Sequence, residues 1–304
     1  MYYQVKTKIF TDCDLDGAGT YLMYKWYTNF KGEVEICSQS NFNKTYKSWA
    51  AKNNPEEYDK VFVFDLDVST DANLPLVDKK NFVIIDHHDT HIANKDRYKN
   101  AKTILKDTTS CCKLMYQLLK QKYPDKKLTQ EQKYLALLVD DYDSYQLKVP
   151  DSYKLNVVLW NYVGKRLEQF ERDFANGFHG FNQQHKNIIH LNEKKVKRII
   201  SELQVYDGKI SVGKNKINLY ATFCTESLNE VAQHVINTYE CDVCMIVNMN
   251  TKRVSFRKNK ERVPDLDLGK LAATIAEGGG HKDSAGGKLN ENVMAVAKML
   301  SETK

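Results

Sequence analysis

The chain has 304 residues, enough for one large or two ordinary domains with substantial hydrophobic cores. Apolar residues make up 42% of it and charged residues 28%, and these values argue against intrinsic disorder. The formal net charge of +6 is compatible with a phosphate-bearing partner, but it is well below that of a dedicated duplex-DNA binder.

Targeting and cysteine patterns indicate a reduced, cytoplasmic setting without a membrane partner. The start, "MYYQVKTKIF", lacks the apolar core of a signal peptide, and no run approaches the ~20 apolar residues of a spanning helix. The seven cysteines are odd in number and lack the spacing of a disulfide framework. "CDVC", from Cys241 to Cys244, has no second Cys or His pair at zinc-finger spacing, so we interpret these residues as buried thiols.

The first half of the chain contains three short apolar runs that each end in acidic or histidine residues. "KIF" leads into Asp12, "VFVF" into Asp65, and "FVII" into the run that begins at Asp86. Short runs without alternation are typical of strands buried on both faces, as in a parallel sheet. Because amphipathic stretches such as "YLMYKWYTNF" separate them, we predict an α/β fold whose acidic clusters converge at the carboxyl edge of the sheet.

Further helices and a second unit follow. "TSCCKLMYQLLKQKY" and "TQEQKYLALLV" predict helices, and the latter leads into "DDYDSY" at residues 140–145. A long polar helix over residues 184–203 is interpreted as a connector. Beyond it, paired strands around a Gly-Lys-Asn turn, two helices and two more strands predict a smaller α/β unit. The predicted organisation is a catalytic domain at 1–185, a helical connector at 186–205 and a substrate-binding domain at 206–304.

The stretch "TDCDLDGAGT" places three carboxylates at alternate positions before a glycine. This pattern also begins an EF-hand calcium loop, but position twelve is Met23 rather than glutamate, and the preceding residues predict a strand instead of a helix. An acidic surface turn is the simpler alternative. It is disfavoured because other carboxylates and histidines are predicted at the same sheet edge. The residues Gly17 to Gly19 also suit a tight turn opening a helix, where backbone N–H groups can face an anion.

The acidic cluster at Asp65 and the histidine-containing cluster that begins at Asp86 are predicted at the same carboxyl edge of the sheet. Asp65 directly follows a buried strand and, taken alone, could be an ordinary turn residue. The run "IIDHHDTH" is more specific, because adjacent histidines beside Asp86 and Asp89 offer neutral imidazole next to carboxylates that can orient it. Packing does not readily explain His87 and His88 at a strand end.

Together these motifs resemble the DHH phosphoesterase superfamily. "DCDLDG", "VFDLD", "IIDHHDT" and "DDYDSY" resemble its four acidic motifs in order, while "VSFRKN" and "GGGHKDSAGG" resemble its associated substrate domain. The chain looks most like the nano-RNase B branch of oligoribonucleases. It departs from that branch at two positions. The branch tends to have His where this chain has Asp12, and its fourth motif resembles Tyr-Asp-Thr-Trp, whereas this chain has Tyr145 in place of the Trp.

The resemblance implies a two-metal site with manganese, or alternatively magnesium. Asp12, Asp14 and Asp65 would hold one ion, and Asp16, Asp65, His87 and Asp143 the other. Asp140 and Asp141 are alternatives to Asp143. His88 would act beside the ions on the phosphate, and Asp86 would orient an imidazole or a strand end. Such hard donors, without thiolate, favour these cations over zinc or copper.

The second unit is predicted to bind substrate phosphate or base. Successive glycines, including Gly279 and Gly280, let backbone N–H groups approach an anion, although a flexible glycine turn is the alternative. His281 is adjacent, and Ser255 and Arg257 lie on a preceding predicted strand. An arginine gives the forked recognition of phosphate that lysine cannot reproduce. Facing the metal ions, this clamp would select substrate by length.

The leading functional prediction is a metal-dependent phosphodiesterase that hydrolyses short single-stranded oligonucleotides to mononucleotides. Alternatives with the same chemistry are a cyclic-dinucleotide or 3′-phosphoadenosine-5′-phosphate phosphoesterase and a RecJ-type single-strand DNA exonuclease. A nucleotide-sequestering protein is the alternative without catalysis, but pure binding does not require so many mutually repelling carboxylates. A monomer and a homodimer both stay open at this point.

Overall fold

A computed structural model of the chain describes residues 5–212, 215–280 and 282–301. The chain divides into two compact units, Met1–Ile189 and His190–Lys304, each described here by itself. The division lies within the long helix α9, at Gln183–Ser201, where the sequence predicts a connector. No helix in the described ranges is long and apolar enough to cross a membrane.

The first unit is built on a five-stranded, fully parallel sheet in the order β2-β1-β3-β4-β5. Its strands are β1 Thr7–Thr11, β2 Glu33–Ile36, β3 Lys60–Phe64, β4 Phe82–Asp86 and β5 Lys102–Leu105. Its helices are α1 Leu15–Thr28, α2 Phe42–Ala50, α3 Leu74–Val77, α4 Asp89–Ala93, α5 Cys111–Lys122, α6 Gln130–Asp143, α7 Pro150–Trp160 and α8 Arg166–Phe174.

Helices cover both faces of this sheet, which explains why its central strands are apolar without alternation. On one face, Ile9 and Ile85 pack with residues of α1, α5 and α6. On the other, Phe10 and Ile84 pack with the aromatic residues of α2. Local sequence fixes several helix starts, since Ser110 caps α5 and Thr129 forms a reciprocal capping box with the third residue of α6.

The second unit contains a six-stranded mixed sheet in the order β10-β11-β9-β8-β7-β6, in which the pairing of β7 with β8 is parallel. The strands are β6 Val205–Val212, β7 Asn215–Phe223, β8 Val243–Asn248, β9 Arg253–Lys258, β10 Gly279–Gly280 and β11 Ser284–Lys288. The helices are α10 Leu228–Thr238, α11 Leu268–Ala276 and α12 Glu291–Ser301. The predicted class is confirmed: a parallel α/β domain followed by a smaller α/β domain.

Candidate metal centre

Three neighbouring strands of the first sheet deliver their polar residues to one edge. β1, β3 and β4 are adjacent and parallel, so their carboxyl ends meet. Asp12 follows β1, Asp65 follows β3 and His87 follows β4. Residues separated by about 50 and 20 positions in sequence are thereby brought together, as expected for a parallel sheet.

His87 lies at the centre of this edge. Its Nε2 atom is 3.5 Å from an oxygen of Asp16, 3.5 Å from Asp65 Oδ1 and 3.4 Å from Asp143 Oδ2. The other ring nitrogen, Nδ1, lies 3.1 Å from the carbonyl of Thr108. A proton on Nδ1 donates to this carbonyl, so the Nε2 lone pair faces the carboxylates, as in a metal ligand whose tautomer is fixed by an outer hydrogen bond.

The spacing of these atoms fits a divalent cation. Ligands about 2.1 Å from one ion, at angles near 90° to 110°, lie about 3.0 to 3.4 Å from each other. In addition, Asp65 is only 2% exposed, and its Oδ1 atom has no hydrogen-bond partner among the described residues. A buried, unsatisfied carboxylate oxygen is costly unless a cation or donor completes it. One imidazole and several carboxylates form the hard donor set that manganese and magnesium prefer.

The backbone at Asp65 is itself unusual. Its φ of 57° lies in the left-handed region, which side-chain-bearing residues adopt at a cost of about 1–3 kcal/mol and which is concentrated at functional sites. Burial, reinforced by the charges of Asp16, Asp14 and Asp143, raises the pKa of Asp65 well above its usual value. The strand end therefore carries both backbone strain and like-charge repulsion.

Asp16 is held by the start of α5. Its two oxygens accept hydrogen bonds from the backbone N–H groups of Cys111 at 2.6 Å and Cys112 at 2.8 Å. These donors, and the dipole of the helix start, favour the ionised carboxylate. Burial outweighs them and raises the pKa of Asp16 to about 6. These backbone partners were not predicted; the cap residue Ser110 is the sequence feature that marks the helix start.

The fourth motif contributes Asp143. The other two acidic residues of this motif point into different hydrogen-bond networks. Asp140 accepts from Ser110 Oγ at 2.9 Å, whereas Asp141 accepts from the backbone of Lys148 and from Ser152 Oγ. Asp143 is the member whose oxygen reaches His87. Burial and the neighbouring carboxylates raise the pKa of Asp143 well above its usual value.

Asp12 and Asp14 lie beside this cluster and accept local hydrogen bonds. Asp12 accepts from the N–H of Cys13 at 2.5 Å, and Asp14 caps α1 by accepting from the N–H of Gly17 at 2.9 Å. Burial and the charge of Asp14 raise the pKa of Asp12 to about 7. The structure thus brings Asp16, Asp65, His87 and Asp143 together, while Asp12 and Asp14 stand outside the groups of described side chains that could share one ion.

The glycines of the first motif have a packing role. A Cβ atom on Gly17 would lie 2.3 Å from the carbonyl oxygen of Asp12, and one on Gly19 would lie 2.8 Å from a methyl group of Val139. The N–H of Gly17 bonds to Asp14 and its carbonyl accepts from Thr11. The N–H of Gly17 thus faces a carboxylate of the chain itself, and the residue is glycine because the chain passes close to Asp12.

Asp86 and His88 form a second network in which a further histidine takes part. Asp86 Oδ1 lies 2.7 Å from His88 Nδ1, and Asp86 Oδ2 lies 2.5 Å from Nδ1 of the fully buried His91. The Nε2 atom of His91 lies 2.6 Å from the hydroxyl of Tyr98. Although burial lowers the pKa of His88, the hydrogen bond and charge of Asp86 raise it to about 10. Asp86 thus orients His88. The contact of Asp86 with His91 was not predicted from the sequence.

In the second unit, Ser255 and Arg257 lie on the same face of β9, which packs toward α10. The guanidinium of Arg257 donates to Asn229 Oδ1 at 2.8 and 3.2 Å. Gly279 and Gly280 form the edge strand β10 and not the flexible turn of the alternative interpretation, because they pair with β11. Gly279 lies in the same cross-strand row as Ser255. His281 lies outside the described residues.

The predicted buried thiols of "CDVC" are observed. Cys241 and Cys244 are both fully buried and free, and burial raises the pKa of each, to about 12 for Cys241. Within the described ranges, the side-chain groups close enough to share a metal ion are His and Asp residues, with no cysteine. They are Asp65, Asp86, His87 and His88 in one group and Asp16, His87 and Asp143 in the other.

One protein family and several solved structures resemble this chain. A family model described as "DHH family, N-terminal domain" matches residues 6–139. A comparison with curated proteins gives no match. Among solved structures, a pGpG-specific phosphodiesterase, PggH from Vibrio cholerae, is 16% identical with a TM-score of 0.57, and the alignment covers 97% of each chain.

Two structures of the exonuclease RecJ are also similar. One, bound to manganese, is 12% identical with a TM-score of 0.56, covering 98% of this chain and 89% of RecJ. The other, with Mn²⁺ and from Thermus thermophilus, is 12% identical with a TM-score of 0.53, covering 97% of this chain and 51% of that one. At such identities these likenesses show the fold alone. Residues 6–139 therefore match the N-terminal domain of the DHH family, and this match agrees with the resemblance seen in the first three acidic motifs, which lie in that range.

Proposed function

We propose that this protein is a metal-dependent phosphodiesterase that hydrolyses short oligonucleotides to mononucleotides. The observation that carries the proposal is the ring of three carboxylate oxygens, from Asp16, Asp65 and Asp143, 3.4 to 3.5 Å from His87 Nε2. Asp65 and His87 directly follow two adjacent strands, Asp143 is the last residue of α6, and Asp16 lies in the first turn of α1. Such a set of hard donors serves a divalent cation better than it serves any role in packing.

We propose two Mn²⁺ ions, with Mg²⁺ as the alternative. Asp16, Asp65, His87 and Asp143 would hold one ion. The motif resemblance assigns Asp12, Asp14 and Asp65 to the other, although Asp12 and Asp14 stand outside the groups of described side chains that could share one ion. Bound there, the two cations would neutralise the phosphate and lower the pKa of a water molecule for attack on phosphorus. The raised pKa values of Asp12, Asp16, Asp65 and Asp143 support this, since cations would relieve the repulsion that contributes to them.

His88 has a different role in this proposal. Its Nδ1 atom lies 2.7 Å from Asp86 Oδ1, and in this proposal that contact orients the ring toward a substrate oxygen. Held in this orientation, the imidazole donates a hydrogen bond to the phosphate while Asp86 stabilises its positive charge. His88 and Asp86 are thus proposed to act on the phosphate rather than to bind metal.

The second unit is proposed to bind the substrate through Ser255, Arg257, Gly279, Gly280 and His281. Support comes from the placement of Ser255 and Arg257 on one strand face and from the open space beside Gly279, where an added Cβ would meet no atom within 4 Å among the described residues. Asn229 fixes the Arg257 guanidinium in one orientation. A fixed guanidinium suits the forked geometry of a phosphate.

The choice of substrate class is supported by the neighbours. PggH is a pGpG-specific phosphodiesterase, and pGpG is itself a two-residue oligonucleotide. RecJ is an exonuclease that binds manganese. The seven cysteines are all free thiols, in keeping with the expected cytoplasmic setting.

The test is a hydrolysis panel with the purified full chain in Mn²⁺, in Mg²⁺ and in EDTA. Substrates are two- to five-residue RNA and DNA, pGpG, 3′-phosphoadenosine-5′-phosphate, a cyclic dinucleotide and a long single-stranded DNA. We expect mononucleotide release from the short oligomers, dependent on metal and abolished by His87→Ala. Preference for one of the last three substrates would select the corresponding alternative. Tight nucleotide binding without turnover under any condition would refute the proposal.

A further inference from the structure

Arg166 occupies an unusual position beside the first acidic motif. It is the first residue of α8, and its Nη1 atom donates to the carbonyl of Cys13, which lies between Asp12 and Asp14, at 3.4 Å. The guanidinium is therefore hydrogen-bonded to the backbone of the proposed metal-binding motif, more than 150 residues away in sequence. Arg166 was not predicted from the sequence as a site residue.

Within the described ranges, Arg166 forms no ion pair with a carboxylate. The ion pairs formed by its neighbours in sequence join Lys165 to Glu168, Glu171 to Lys25 and Arg172 to Asp173. Its Nε atom is buried and lacks a hydrogen-bond partner among the same residues. A guanidinium that has lost part of its hydration and has no anionic partner is a strong site for a phosphate.

Trp160 fixes the plane of this guanidinium. The central carbon of the Arg166 guanidinium lies 4.2 Å from the centre of the Trp160 ring, a close cation–π arrangement. The stack joins the last residue of α7 to the first residue of α8. It limits the rotation of the guanidinium, so less conformational entropy is lost when the group binds an anion.

Trp160 also stays accessible. It is 46% exposed even with the guanidinium against it, and Val163 in the following turn is 88% exposed. An accessible indole beside a fixed positive charge is the combination with which proteins bind single-stranded nucleic acid, because every base presents a face for stacking. A purely structural stack would gain more stability from complete burial of the ring.

We propose that Arg166 and Trp160 form a nucleotide subsite next to the metal centre. The guanidinium pairs with a phosphate neighbouring the one that is cleaved, and the indole stacks on a base. This inference rests on the proposed function, because it places an oligonucleotide at this edge. It adds that the first unit recognises base as well as phosphate and therefore discriminates nucleotides from simple phosphate esters.

The test measures binding separately from turnover. Calorimetric titrations in Ca²⁺ use the full chain with pApA and with an abasic dinucleotide of the same backbone. Trp160→Ala should weaken binding of pApA about fivefold or more and leave the abasic compound unaffected. Arg166→Ala should weaken binding of both about tenfold. Trp160→Phe and Arg166→Lys should recover part of the loss.

Lys165→Ala is the matched control, because it removes the same charge from the adjacent, exposed position. Equal binding by Lys165→Ala, Arg166→Ala and Trp160→Ala would overturn the inference, as would a wild-type protein that does not bind pApA. Equal losses for both compounds in Trp160→Ala would indicate a structural stack and would also overturn it. Binding with the expected pattern but without hydrolysis in Mn²⁺ would refute the proposed function and leave the subsite standing. Hydrolysis in Mn²⁺ by a protein whose binding is unchanged in the Arg166 and Trp160 variants would refute the subsite and leave the proposed function standing.

Discussion

Replacement of Asp65 by asparagine should stabilise the metal-free protein while abolishing its activity. Asp65 is buried, its Oδ1 atom has no partner among the described residues, and nearby carboxylates repel its charge. Asparagine has the same shape and tolerates the left-handed φ of 57° better than most residues. The substitution therefore removes a destabilising charge with little change in packing.

The magnitude follows from the pKa values of the cluster. Each pH unit by which a folded-state pKa exceeds the unfolded value corresponds to about 1.4 kcal/mol of destabilisation above both values. The pKa of the neighbouring Asp16 is raised from 3.8 to about 6, which amounts to ~3 kcal/mol. An amide without a full set of partners costs about 1 kcal/mol in return. We expect a net gain of about 1–3 kcal/mol at pH 8, a rise in Tm of roughly 3–10 °C.

The pH dependence has a definite sign. A carboxyl whose folded pKa is raised contributes no penalty below the unfolded pKa, near 4, because it is protonated in both states. The penalty grows as the pH rises from there toward the folded pKa. The gain from Asp65→Asn should thus be absent at pH 4 and large at pH 8. Mn²⁺ at 1,000 times its Kd should reverse the order, because it adds about 4.1 kcal/mol to the protein that binds it.

Thermal unfolding in EDTA and in Mn²⁺, at pH 4 and pH 8, measures all of these effects. Asp67→Asn is the matched control, since Asp67 is also buried but accepts hydrogen bonds from Ser69 and Thr90, which lower its pKa despite burial. This control should be destabilised by about 1–3 kcal/mol with and without metal. A lower Tm for Asp65→Asn in EDTA at pH 8 would contradict the proposed repulsion.

Three further predictions concern the motif positions. Gly17→Ala should cost about 1–3 kcal/mol in urea unfolding, because the new methyl group would lie 2.3 Å from the Asp12 carbonyl oxygen; an unchanged midpoint would refute this packing role. Asp143→Asn should lower kcat on a dinucleotide at least about 100-fold, whereas Asp140→Asn should retain most activity; equal losses would mean that the motif register is wrong. Arg257→Ala should raise KM about tenfold with kcat nearly unchanged, as steady-state kinetics on pApA would show, and a fall in kcat alone would argue against a binding role.

Much of the fold could be predicted because its signals are local. Apolar runs ending at Asp12, Asp65 and Asp86 indicated the parallel strands and therefore the edge at which the site lies. The contacts that complete the site are not local. The N–H groups that hold Asp16 come from Cys111 and Cys112, about 95 residues away, and no periodicity in the sequence links them. Partners of this kind depend on packing that a single sequence does not reveal.

The second unit also shows that long-range contacts can override an expectation drawn from local sequence. The glycines of "GGGHKDSAGG" were interpreted as an anion-binding stretch, with a flexible turn as the alternative. Glycine also has a low preference for strands. Gly279 and Gly280 nevertheless form a strand, since the edge of an existing sheet offers Gly286 and Ala285 as pairing partners. Tertiary context overrode the local preference, and it did so with a strand of only two residues.

The acidic residues of the first unit finally divide according to their donors. Asp67, Asp86 and Asp141 accept hydrogen bonds from side chains or backbone groups, and the pKa values of Asp67 and Asp86 are lowered. Asp65 Oδ1 lacks a hydrogen-bond partner among the described residues, and burial with neighbouring carboxylates raises the pKa values of Asp65 and Asp143. Asp65 and Asp67, only two positions apart, thus have opposite electrostatic environments. Asp16 accepts two backbone hydrogen bonds and still has a raised pKa, because its burial outweighs them. A raised pKa therefore marks Asp16, Asp65 and Asp143 as carboxylates that a cation would stabilise, whereas the lowered pKa of Asp86 fits a residue that orients histidines.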